Sequence, residues 1–107
     1  MVYTIQEIQD LVTPIIRKYN IPAMYLFGSY ARGEATEESD IDFLVDTTGT
    51  ELTSLLRLGA LYCDLEEVLC KKIDLITVRA IMQNSSMESN ADFRNTVLKE
   101  RVSLYVA

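Results

Sequence analysis

A chain of 107 residues with a net charge of −6 has room for one domain and a modest core, and none for a second substrate-binding domain. The acidic balance argues against a free-standing nucleic-acid binder, because neutralising phosphates needs clustered Lys and Arg. No apolar run approaches the roughly 20 residues of a membrane helix. With 49% hydrophobic and 24% charged residues the composition is that of a soluble globular protein. The opening MVYTIQEIQD lacks a basic stretch followed by an apolar one, so a cytoplasmic location is expected.

Along the chain, Ile5, Ile8, Val12, Ile15, Ile16 and Tyr19 recur at intervals of three and four, and Thr4 with Glu7 forms a capping box. These predict an amphipathic helix from Thr4 to Tyr19, kinked at Pro14. AMYLF (23–27) and IDFLV (41–45) read as buried strands. Between them SYAR opens a short helix that Gly33 ends. A leucine-rich stretch over 51–70 has helical spacing, with Thr50 as its cap. Cys63 and Cys70 lie in it, and with no other cysteine and no histidine they cannot form a usual zinc site, so they read as reduced core residues. KIDLITV (72–78) predicts a third strand and QNSSMESN (83–90) a surface loop. A last helix over about 91–100, capped by Asn90, leads to an edge strand at VSLYV (102–106). Strands separated by helices predict an α/β (α+β) fold, a small mixed sheet with helices packed on it, as one domain over 1–107.

The chemistry concentrates in LFGSYARGEATEESDIDFLVD (26–46), where a strand runs straight into a helix start at Gly28-Ser29. Glycine lets a ligand approach the backbone, and free N–H groups with the Ser29 hydroxyl can hold a phosphate; a tight turn with a serine cap is the plainer alternative. Asp40 and Asp42, two apart, project to the same side of a strand. Two carboxylates so placed repel by about 4 kcal/mol at ~4 Å and an effective dielectric near 20, so a cation between them is expected. Magnesium suits hard oxygen ligands shared with substrate phosphates, and a solvated acidic turn is the competing reading. Asp74, inside the apolar KIDLITV, is a third carboxylate. If its strand lies beside 41–45, the three acids converge on a site able to hold two divalent ions, with Asp74 as candidate general base. Alternatively, Asp74 is partnered by Lys71 or Lys72. Arg32, one turn beyond Ser29, either neutralises phosphate or pairs with Glu34 or Glu37, and Glu34, Glu37 and Glu38 read as a solvated loop.

FGSYARGEATEESDIDFLV resembles the active-site motif of the minimal nucleotidyltransferases (MNT) of the DNA polymerase beta superfamily: Gly-Ser, ten residues, Asp-x-Asp. The likeness extends through the carboxylate of KIDLITV to the terminal KERVSLYV, nearly the whole chain. It implies that Gly28 and Ser29 contact nucleotide phosphates, that Asp40 and Asp42 bind two magnesium ions, and that Asp74 completes the site. It implies ATP as substrate and a HEPN-family toxin as partner, with the nucleotidyltransferase as antitoxin moving AMP onto a toxin tyrosine. One departure is the loop ATEES, where relatives often carry proline. A second function class, an antitoxin that blocks its partner by contact alone, is weighed against the enzyme. Keeping three mutually repelling carboxylates favours the enzyme. Transfer to a small molecule would call for a further domain, and template copying for a DNA-gripping region.

Overall fold

A computed structural model describes residues 2–52, 54–83 and 95–106. The helix α1 (Ile5–Lys18) starts at Thr4, whose hydroxyl accepts from Glu7 N at 3.1 Å while Glu7 returns a bond to Thr4 N at 2.8 Å, the expected capping box. It runs on through Pro14, and its buried stripe is Ile8, Val12 and Ile16. The strands β1 (Ala23–Phe27), β2 (Ile41–Asp46), β3 (Ile73–Thr77) and β4 (Val102–Val106) fall where the short apolar runs place them. Between β1 and β2 lies the single turn α2 (Gly28–Arg32), ended by Gly33 at φ 74°.

One sheet results, in the order β3-β2-β1-β4. Both pairings of β1, with β2 and with β4, are antiparallel, whereas β2 and β3 run parallel. A parallel pair needs a crossover, supplied here by α3 (Leu55–Leu69). The helices α1 and α3 cover one face. There Ile8, Val12, Leu61, Leu65 and Leu69 pack on Met24, Leu26, Phe43 and Ile73, all fully buried. Each such side chain contributes about 1.5–3 kcal/mol by leaving water. Tyr3, just ahead of α1, donates to the Leu69 carbonyl of α3 at 2.6 Å, and Gln9 of α1 donates to the Leu104 carbonyl of β4 at 2.8 Å.

The opposite face is served by the alternate residues of the same strands. Phe27 and Leu44 pack there with Ile81 of α4 (Val78–Gln83) and Val97 of α5, helical over residues 95–100. Because Leu44 belongs to this second, smaller core, Asp42, two residues earlier, projects to this side as well.

Two expectations change. Cys63 and Cys70 are free but exposed, not core, because Leu61, Leu65 and Leu69 form the stripe that α3 buries. Thr50 does not cap α3: Ser54 does, accepting from Arg57 N at 3.2 Å. Thr50 instead closes a turn, donating to the Thr47 carbonyl at 2.7 Å and accepting from Leu52 N at 3.1 Å. The expected loop at 83–90 and the start of the last helix, with its Asn90 cap, lie outside the described residues apart from Gln83, the last residue of α4.

Candidate active site

The site forms where β1 ends, β2 begins and β3 runs alongside. In the antiparallel register Phe27 pairs with Asp42, so the β1–α2 junction lies beside that carboxylate. Gly28 follows at φ 73°, a left-handed conformation that side-chain-bearing residues seldom adopt. A Cβ built there would collide with Asp42 Oδ2. Glycine at 28 is thus required twice, by its own dihedral and by the carboxylate it leaves room for.

Ser29 is the second residue of α2 and not its cap; the cap position is Phe27, and no side-chain hydrogen bond closes this end. The serine-cap alternative therefore fails, and the hydroxyl stands at a helix start whose first N–H groups have no intrahelical acceptors.

In the parallel ladder Asp42 is the register partner of Asp74. Asp42 is half-buried, and its carboxyl is pushed up to about 6, first by burial, then by its hydrogen bond to Asp74 and the charges of Asp74 and Asp40; Arg32 pulls weakly the other way. These are the marks of an anionic pair held without enough positive charge. Asp40, just before β2, adds its field at Asp42. Among the described residues, however, no three acidic side chains converge in metal-holding geometry. The structure brings Asp42 and Asp74 together and leaves Asp40 adjacent. The Lys71 reading of Asp74 fails, since Lys71 Nζ donates to the Glu37 carbonyl at 2.7 Å. No ion pair among the described residues joins Asp74 to Lys72 either. That lysine bond, with Ile41 N donating to the Lys72 carbonyl at 3.2 Å, pins the loop ahead of Asp40 against the start of β3. In place of a proline, ATEES is stiffened by its own turn: Thr36 N donates to Ser39 Oγ at 2.9 Å and Ser39 N to the Thr36 carbonyl at 3.0 Å.

Beside the carboxylates opens a cleft of about 440 Å³, with Gly28, Asp42 and Asp74 at its polar side and Phe27, Ile76 and Val97 among its apolar lining. Arg32 lines it too, paired as expected with Glu34, Nε to Oε2 at 3.1 Å. Its second partner, Glu100 of α5, 3.2 Å from Nη1, has no signal in local sequence, nor do Thr96 and Val97 as lining residues. Only the packing of α5 on the second core delivers them.

The arrangement offers a backbone recess for an anion, an arginine at its mouth and a strained acidic pair that a divalent cation would relieve. Comparison with known proteins identifies the family. Residues 10–106 match the family described as polymerase beta, nucleotidyltransferase. The protein adenylyltransferase MntA of Thermococcus cleftensis is 36% identical over 103 residues, covering 92% of this chain and 94% of that protein. A candidate protein adenylyltransferase of Methanocaldococcus jannaschii is 46% identical over 77 residues, 72% of this chain and 81% of that protein. In the fold alone, the chain also matches a chain in the solved complex of tri-AMPylated Shewanella oneidensis HEPN toxin with MNT antitoxin. The TM-score is 0.64 at 24% identity, over 96% of this chain and 73% of that one. By sequence family and by fold, this chain belongs to the polymerase beta nucleotidyltransferases.

Proposed function

We propose that this protein is a cytoplasmic, single-domain antitoxin that transfers AMP from ATP to a tyrosine hydroxyl of a HEPN-family toxin. The observation that carries the reading is the Asp42–Asp74 pair, held across the β2–β3 ladder beside a glycine that leaves room for it. The names of the relatives support protein adenylylation, and the toxin–antitoxin complex sharing the fold supports the partner.

Asp42 and Asp74 would hold magnesium, joined by Asp40 if its side chain turns in from its adjacent position, two ions in the fullest form of the reading, and the metal would supply charge neutralisation at the phosphates. The backbone at Gly28 and the Ser29 hydroxyl bind phosphate oxygens, and Arg32 neutralises them from the cleft mouth. Asp42, half-buried, is suited to a fixed structural charge. Asp74 is exposed on the edge strand β3, where an outside macromolecule can reach it. Its carboxylate takes the proton from the acceptor hydroxyl as that oxygen bonds to the α-phosphorus. The bond to pyrophosphate breaks, and pyrophosphate leaves with the electron pair. Positioning and electrostatics supply most of the acceleration.

Asp74→Asn keeps the shape and removes the charge. With ATP, magnesium and the co-expressed partner, intact mass should show AMP added to the toxin by wild type. The variant should transfer at least about a hundredfold more slowly while still binding the toxin. If the variant protects cells as well as wild type and neither adds AMP, the protein acts by contact alone.

A further inference from the structure

Among the described residues lining the cleft, Arg32 is the only cation, and it is already engaged. One guanidinium is shared by two carboxylates from different parts of the fold: Glu34 in the loop after α2, and Glu100 at the end of α5. Their standing differs. The Glu34 side chain is 68% exposed, whereas that of Glu100 is 34% exposed and is itself part of the cleft wall. An anion approaching Gly28 and Asp42 therefore meets an arginine whose Nη1 already donates to an internal anion. It also meets the negative charge of that anion. Pairs this exposed are weak, so exchange of partners is easy.

We propose that Glu100 is a specificity-determining residue that stands in for phosphate on Arg32, so that a nucleotide enters by displacing an internal carboxylate from the guanidinium. This rests on the reading of the cleft as the nucleotide site. The consequence is selection by charge. A ligand that presents several phosphate oxygens to Arg32 outcompetes one carboxylate, because it can engage the guanidinium through two oxygens where Glu100 holds it by Nη1 alone. A ligand too short or too weakly charged to reach Arg32 gains nothing from it and leaves the Arg32–Glu100 pair closed. After transfer, the same carboxylate reclaims the arginine and assists departure of the leaving anion.

The proposal is tested by a double-mutant cycle read by calorimetric titration of ATP with magnesium into wild type, Glu100→Gln, Arg32→Ala and the double variant. Removing the competitor should tighten ATP binding about two- to fivefold, the span expected from freeing one exposed ion-paired arginine. Arg32→Ala should weaken binding, and in that background Glu100→Gln should have no further effect. Glu100→Ala, which cannot accept a bond from Arg32 at all, should tighten binding at least as much as the glutamine variant. Equal tightening with and without Arg32 would show only a general charge effect and overturn the proposal, as would unchanged or weaker binding in Glu100→Gln. Failure of wild type itself to bind ATP would instead remove the nucleotide-site reading, and this proposal with it.

Discussion

Replacing Asp42 by Asn should stabilise the metal-free protein at neutral pH while abolishing transfer. Asp42 carries a folded-state pKa of about 6 against an ordinary 3.8. For an acid raised in the folded state, the associated stability is present below the unfolded value and is lost as pH rises through the folded one. At about 1.4 kcal/mol per pH unit, the gap sets a ceiling of about 3 kcal/mol on the cost of ionised Asp42. The group is only half-buried, and solvent screening reduces the expected gain to about 1 kcal/mol. In a domain of this size that is a rise in Tm of about 4 °C. Asparagine keeps the shape, and its amide can donate to Asp74 where a protonated Asp42 would. The assay is thermal unfolding of both proteins in EDTA from pH 4 to 8. The advantage of Asn should grow from about pH 4 and level off above about pH 6.5. Taking the difference at each pH cancels opposing groups such as Asp64, whose carboxyl is lowered by its bond from Tyr19 and by Lys18, and which loses stability as pH falls. Added magnesium and ATP should raise the Tm of wild type alone. A variant less stable than wild type at pH 7.5, or an advantage independent of pH, would refute the claim that the acidic pair is strained.

Gly28→Ala should destabilise the fold by about 1–3 kcal/mol and cripple nucleotide binding, since it combines a left-handed backbone with a collision against Asp42. Combining it with Asp42→Ala should recover part of the stability in denaturant titrations; no recovery would locate the strain in the dihedral alone. Ser29→Ala, by contrast, should leave the melting curve unchanged, because no side-chain bond caps α2, and should weaken ATP binding by about 1.5–3 kcal/mol, one hydrogen bond to a charged group. Unaltered affinity by calorimetry would remove Ser29 from the phosphate site.

The parts of this protein legible in its sequence are those decided within a few residues. The Thr4–Glu7 box, the alternation that puts Asp42 opposite Phe43, and the Gly33 stop all follow from backbone periodicity and dihedral preference, and each is where it was expected. Even Asp74 beside Asp42 follows once two apolar strands joined by a helix are paired in parallel. What local pattern cannot supply is which face meets which. Cys63 and Cys70 read as core in one leucine-rich stretch, but only the packed structure shows Cys63 facing outward and Cys70 capping α3 beyond Leu69, while Leu61, Leu65 and Leu69 claim the core. Capping is likewise a competition: Thr50 carries a capping hydroxyl as Ser54 does, and the turn to Thr47 engages it instead. The Arg32–Glu100 pair spans 68 residues of chain. Its formation depends on α5 settling over Leu44 and Ile81 on the second face of the sheet, a choice made by burial of apolar surface across the whole domain and invisible to either residue's neighbours.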